Sequence, residues 1–129
     1  MLNLHPPFRR ANPDDRDTIG ALLGQRDGSH PAECVVAEEG GTLFAVLDGR
    51  PEGATWRIDA LAVARERAAD LGPRVLAVAD ALAADDGLES VTLDPASLDP
   101  EMRRILDGEG FRPAEDGSGL MVRPVVPQG

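Results

Sequence analysis

The residues best placed to do chemistry lie in the turn ARERAADLG, residues 64–72, between an expected strand and an expected helix. The strand is predicted over residues 56–63, which are apolar and β-branched, and the helix over residues 70–86, which have helical periodicity. With the β-prone run SVTL at residues 90–93, this order predicts a βαβ unit. The free N–H groups of a helix start attract anions, so the turn is a candidate site for a phosphate-bearing ligand.

The expected helix has to hold that turn in place. Leu71, Val75, Val78 and Leu82 are spaced by four, three and four residues, so they share one face that can pack on a sheet. Gly87 suits the left-handed residue that often follows a helix end. We therefore predict a helix whose first turn is free for a ligand and whose apolar face belongs to the core.

The turn and the strand before it resemble the GNAT superfamily of N-acetyltransferases. LAVARERAADLG, residues 61–72, is similar to that family's acyl-CoA-binding segment, in which a strand ending in an L-x-V-like sequence precedes Q/R-x-x-G-x-G/A at a helix start. Arg67, Leu71 and Gly72 agree with the pattern, and Asp70 replaces its middle glycine.

A second stretch, PEMRRILDGEGFRP at residues 100–113, resembles the family's last helix and the Gly-Phe that opens its next strand. The resemblance implies an α/β (α+β) fold with a GNAT-like mixed central sheet, antiparallel N-terminal strands, a βαβ crossover and flanking helices. It implies one GNAT-like domain over residues 1–129, with a frayed tail at residues 124–129. The implied reaction moves an acetyl group from acetyl-CoA, as co-substrate, to the amine of a small molecule or a protein.

The resemblance also implies which residues form the site. The cofactor would be held by Leu61, Val63, Arg67, Ala68, Ala69, Asp70, Leu71 and Gly72, with Arg65 and Arg74 adding positive charge near the phosphates. The candidate general base is Asp59, in the strand that often holds such a carboxylate, followed by Asp94 and Ser97 after the second parallel strand. The alternative is that these are solvated or turn-forming polar residues near strand ends.

Three residues support a second hypothesis. Asp70 would place a carboxylate beside a phosphate, and two anions a few ångströms apart repel by about 1 kcal/mol even in water. We expect Asp70 to accept the free N–H groups of the helix start itself, and Pro73 removes another N–H. Leu106 stands where many family members carry a tyrosine that protonates the CoA thiolate, and this chain contains no tyrosine. The alternative is a non-catalytic GNAT-fold binding or interaction domain that has lost acyl-CoA binding.

The composition argues against several other classes of function. The basic residues, 13 in number and all arginine, face 23 acidic residues, and the resulting net charge of −10 disfavours nucleic acid as a partner. No apolar run predicts a membrane span and MLNLHPPFRR has no export signal, so we expect a cytoplasmic protein. Cys34 is the only cysteine, and His5 and His30 have no partners at ligand spacing, so we expect no disulfide and no metal site.

The N-terminal half predicts the supporting strands. Residues 8–11 favour a strand, followed by a helix start in which Asn12 is the N-cap, Pro13 lies in the first turn and Asp15 follows three residues later. Gly40-Gly41 predicts a hairpin, and RPEG at residues 50–53 predicts the next turn. The expected core residues are Val35, Val36, Leu43, Phe44, Val46, Leu47, Ile58, Leu61 and Val63.

The C-terminal part predicts a helix and a last strand. Asp99 can cap a helix that begins at Pro100, with Met102, Ile105 and Leu106 facing inward. The last strand is expected over residues 120–126, where Pro124 suits a sheet edge. Its apolar, edge-like character leads us to expect a homodimer through this strand.

Overall fold

A computed structural model of the protein describes residues 7–15, 18, 35–95, 98, 100–115 and 117–125. The strands are β1 (Phe8–Arg10), β2 (Val35–Glu39), β3 (Thr42–Glu52), β4 (Thr55–Val63), β5 (Ser90–Leu93), β6 (Arg112–Pro113) and β7 (Met121–Pro124). The helices are α1 (Ala68–Asp85) and α2 (Pro100–Gly108), and 3-10 turns form at Pro13–Asp15 and Arg65–Arg67. Ser97 and Asp99, and most of the helix expected after Asn12, lie outside the described residues.

The strands form one mixed sheet in the order β1-β2-β3-β4-β5-β7-β6. Neighbouring strands are antiparallel except β4 and β5, which are parallel and joined by α1. The predicted mixed sheet with antiparallel N-terminal strands, a βαβ crossover and flanking helices is therefore confirmed. Neither of these helices is long and apolar enough to cross a membrane.

The two hairpins at the start of the sheet have two-residue turns. Gly40 and Gly41 have φ values of +60° and +83°, which only glycine adopts at little cost, and the predicted hairpin is confirmed. The turn predicted at residues 50–53 is wrong, because β3 continues to Glu52 and the turn consists of Gly53 and Ala54. Pairing with β4 thus overrides the local turn preference of RPEG.

A β-bulge at Asp59 brings the apolar residues of β4 to one face of the sheet. The residues on either side of Asp59 pair with neighbouring residues of β3, so Asp59 has no partner of its own there. Without the bulge, strict alternation would separate Trp56 and Ile58 from Leu61 and Val63. All four belong instead to the core that packs against α1.

The core confirms most of the expected residues. The α1 residues Leu71, Val75 and Leu82 are buried, whereas Val78 is half-buried. On α2, Met102 and Leu106 are buried, and Ile105 packs half-exposed against them. The expected strand residues are all buried except Phe44, which is half-buried; Val36, Leu43 and Val46 form a separate cluster.

Trp56 packs against the backbone of β3 at Gly49. A Cβ atom at Gly49 would lie 2.5 Å from the Trp56 ring and 2.5 Å from the backbone carbonyl oxygen of Arg57. Because the carbonyl oxygen belongs to the paired strand, it has little freedom to move away. Only glycine fits this position.

The helix signals are confirmed where the structure describes them. The Asn12 side chain accepts a hydrogen bond from the Asp14 N–H (3.0 Å), and Asp15 accepts one from the Asn12 N–H (2.8 Å), which is a reciprocal capping box. Gly87 has φ +72°, and the Leu88 N–H donates to the Ala83 carbonyl at 2.9 Å, which closes the end of α1.

Strand β7 lies between β5 and β6, so the prediction of an edge strand is wrong. The Val125 N–H donates to the Glu89 carbonyl on the β5 side, so the backbone nitrogen of Pro124 points the other way. On that side β6 pairs only with Met121 and Val122. Pro124 therefore sits beyond the end of β6, where its missing N–H interrupts no ladder. The homodimer stays a prediction.

The Arg123 side chain links β7 to α1 and to the end of α2. Its side chain is only 11% exposed and forms a 2.6 Å ion pair with Asp80 of α1. It donates hydrogen bonds to the carbonyls of Leu76 and Glu109, and its guanidinium lies 4.8 Å from the centre of the Phe111 ring. One buried cation thus connects α1, the end of α2 and β7.

Candidate functional site

The parallel strands β4 and β5 separate before β4 ends, and this opening is the centre of the candidate site. Their pairing stops at Ile58 and Leu93, while β4 continues through residues 59–63 without β5 beside it. These residues still pair with β3 on their other side. The backbone groups of residues 59–63 on the β5 side of β4 therefore take no part in the β4–β5 ladder.

The turn after β4 leads directly into the start of α1. The Ala64 N–H donates to the Phe44 carbonyl at 2.7 Å, and the Arg67 N–H donates to the Ala64 carbonyl at 2.9 Å. These bonds form the Arg65–Arg67 turn that leads into α1 at Ala68. The backbone therefore has the strand, turn and helix order that the sequence predicted.

The predicted cofactor residues divide into buried and accessible ones. The five residues that are buried, backbone included, offer little surface to a ligand; they are Leu61, Val63, Ala68, Leu71 and Gly72. Ala69 and Asp70 are exposed, and Arg67 is half-buried. Gly72 also permits helix contact, because a Cβ there would lie 2.9 Å from the Ile105 side chain of α2.

Arg67 is held by two carboxylates, and we call Arg67, Glu39 and Asp70 the Arg67 cluster. Glu39 accepts two hydrogen bonds from the guanidinium, at 2.8 and 3.2 Å. Asp70 accepts two more, at 2.7 and 3.2 Å. Phe44 lies under the guanidinium, 4.9 Å from its carbon to the ring centre. This geometry holds the arginine in place and neutralises its charge.

The electrostatics of the cluster follow from these bonds. The pKa of Glu39 lies below its ordinary value of 4.5, first because Arg67 donates hydrogen bonds to its carboxylate and then because of the positive charge nearby. The pKa of Arg67 is raised by Glu39 and then by Asp70. Glu39 and Arg67 are therefore both charged throughout the physiological pH range.

One expectation about this turn is wrong, and one residue of the cluster was not predicted. Asp70 was expected to accept N–H groups of the helix start, but its carboxylate accepts hydrogen bonds from the Arg67 side chain instead, because a guanidinium is the stronger donor. Glu39 was missed altogether. It precedes Arg67 by 28 residues, and no local spacing connects the end of β2 with the start of α1.

Two of the predicted catalytic residues lie where β4 and β5 separate, an opening that we call the fork. Asp59 and Asp94 each follow the last paired residue of their strand, so both lie where β4 and β5 separate. Asp59 is 38% exposed, and its carboxylate lies 3.3 Å from the Arg50 guanidinium. Asp94 is exposed as well. Leu106 is buried in the core, so that position offers no proton donor to the site.

Several solved structures with a similar architecture are acetyltransferases. N-acetylglutamate synthase from Neisseria gonorrhoeae, solved with coenzyme A and N-acetyl-glutamate, matches 98% of this chain with a TM-score of 0.76 and 18% identity, and the chain spans 36% of that protein. Ard1 from Thermoplasma volcanium matches 93% of this chain and 97% of its own, with a TM-score of 0.70 and 19% identity. An acetyltransferase of the GNAT family from Staphylococcus aureus matches 92% of this chain and 98% of its own, with a TM-score of 0.73 and 8% identity.

No protein-family model and no curated protein sequence matches the chain. The structural similarity is nevertheless extensive, since these matches cover 92–98% of the chain with TM-scores of 0.70–0.76. The chain therefore has the fold of the GNAT superfamily of N-acetyltransferases.

Proposed function

We propose that the protein is an N-acyltransferase that moves an acetyl group from acetyl-CoA to an amine. The observation that carries this proposal is the fork, in which residues 59–63 extend beyond the β4–β5 pairing and lead directly into a helix start. Free strand groups bind an extended ligand in the manner of an added strand, and a helix start favours its phosphates. Acetyl-CoA combines both chemical features in one molecule.

The charged groups at the fork support transfer to an amine. An amine attacks a thioester only as the free base, so a carboxylate that takes its proton assists the reaction. Asp59 and Asp94 are the carboxylates placed there, and we assign the role of base to Asp59 first. The net charge of −10 favours the approach of a cationic amine, carried by a small molecule or a protein.

A thermal unfolding titration with acetyl-CoA tests the proposal. Ligand at about 100 times its dissociation constant adds about 2.7 kcal/mol of stability, which raises the melting temperature by several degrees. Sodium acetate at the same concentration serves as the control and should have no effect. The absence of a shift at millimolar acetyl-CoA would contradict the proposal.

A second candidate function is that of a non-catalytic binding or interaction domain. The Arg67 cluster favours it, because the arginine expected to meet a phosphate already donates to two carboxylates of the protein. This candidate predicts no acetyl-CoA shift, or binding without acetyl transfer to any member of a panel of primary amines. Transfer to one amine would exclude it.

A further inference from the structure

The two carboxylates of the Arg67 cluster accept four hydrogen bonds from its guanidinium, which has five N–H groups. All three guanidinium nitrogens of Arg67 donate to Glu39 or Asp70, and one face of the group lies on Phe44. The Arg67 side chain is 23% exposed, whereas Glu39 and Asp70 are 44% and 56% exposed. The carboxylates, rather than the cation, are therefore what a ligand in solvent meets first.

The charges of the cluster also work against an incoming anion. One guanidinium is combined with two carboxylates, so the cluster has an excess of one negative charge before any ligand arrives. Arg74 adds a weaker attraction for Glu39 from the next turn of α1. A phosphate group must repel or replace a carboxylate to reach Arg67, and like charges at such distances repel strongly near a protein surface.

The two carboxylates are held by different parts of the fold. Asp70 lies in the first turn of α1, three residues after Arg67. Glu39 is the last residue of β2 and precedes the turn formed by Gly40 and Gly41. Glu39 therefore reaches the helix start from β2, and the backbone hydrogen bonds of the turn after β4 involve Phe44 and Ala64 rather than Glu39.

We propose that Glu39 and Asp70 act as internal competitors of the acyl donor and set the affinity of the site for its phosphates. The inference rests on the proposed function, since it assumes that the donor's phosphates approach Arg67. A donor binds when its phosphate oxygens replace one carboxylate as acceptors of the Arg67 N–H groups. The released carboxylate, at 44% or more exposure, then turns to solvent.

The test compares Glu39→Gln with the unmodified protein by isothermal titration calorimetry, with acetyl-CoA and inorganic pyrophosphate as separate probes. We expect Glu39→Gln to bind both probes about tenfold more tightly, because the excess negative charge of the cluster is removed. The matched control is Glu101→Gln, which removes a half-exposed glutamate ion-paired with Arg104 on α2. The control should leave both affinities unchanged.

The outcomes separate this inference from the proposed function. Equal or weaker binding by Glu39→Gln, with acetyl-CoA binding in the unmodified protein, overturns the inference and leaves the function standing. If neither acetyl-CoA nor pyrophosphate binds to the unmodified protein or to any variant, both the inference and the proposed function are overturned. If Glu39→Gln unfolds at a lower temperature, Asp70→Asn provides the same test from α1, and unchanged affinity in that variant overturns the inference.

Discussion

At the scale of single residues, the chemistry of this site depends on what each side chain already contacts. Arg67 agrees with the phosphate-binding pattern in type and position, yet its donors are directed at Glu39 and Asp70. The turn and its arginine could be predicted from the sequence, because both are local features. Asp70 is also local, since it follows Arg67 by three residues, but Glu39 could not be predicted because it reaches Arg67 only through the folded sheet.

Gly49 provides a prediction at this scale. Gly49→Ala should lower the free energy of unfolding by about 1–3 kcal/mol, because the new methyl group would overlap the Trp56 ring and a backbone oxygen. The measurement is urea denaturation followed by far-ultraviolet circular dichroism. Gly108→Ala is the control, since a Cβ there has no neighbour within 4 Å, and equal stability of the two variants would contradict the prediction.

At the scale of secondary-structure elements, the local glycine signals predicted correctly, whereas the local turn signal of RPEG at residues 50–53 was overridden by pairing with β4. The Gly40-Gly41 hairpin and the end of α1 at Gly87 depend on backbone conformations that glycine favours. The bulge at Asp59 and the interior position of β7 depend on pairing with distant strands. No local pattern contains that information, so these two features could not be predicted.

The capping box at the Pro13–Asp15 turn provides a stability prediction at the scale of a single element. Asn12→Ala should cost about 1 kcal/mol of stability, because the Asp14 N–H loses its side-chain acceptor. Asn12→Ser retains an oxygen acceptor and should recover most of the loss. Chemical denaturation of the three proteins measures the effect, and equal stability of the alanine variant and the unmodified protein would argue against the cap.

At the scale of the whole molecule, the arginines are used to hold segments together as well as to balance charge. Arg9 of β1 pairs with Asp15 at 2.8 Å and with Glu38 of β2 at 2.8 Å. Arg67 connects β2 with α1 in the same way. In a chain of net charge −10, each of these ion pairs depends on its carboxylate remaining ionised.

Acid should therefore destabilise the protein. The pKa of Asp15 is held below its ordinary value of 3.8, chiefly by the hydrogen bonds from Arg9, and the pKa of Glu39 is held below 4.5 by Arg67. A carboxylate whose pKa is lower in the folded state contributes stability above the unfolded value and loses it as the pH falls through the folded value. We expect the free energy of unfolding to fall as the pH drops below about 5.

Asp15→Asn should reduce this acid dependence, because it removes one of the two carboxylates from the linkage. The measurement is the free energy of unfolding from urea titrations between neutral pH and pH 3. Asp14→Asn removes the same charge from an exposed neighbour and serves as the control. Identical acid profiles for Asp15→Asn and the unmodified protein would show that the Arg9 pair contributes nothing.

The position of β7 also has a consequence for how the molecule is made. On a ribosome, β5 and both helices leave the exit tunnel before β7, although β7 supplies the neighbour of β5 and the counter-ion of Asp80. Until then the nascent chain has an open strand edge and a carboxylate without its arginine, both of which disfavour a closed core. The sheet can therefore be completed only after β7 has been translated, because β5 lacks its second neighbour until that point.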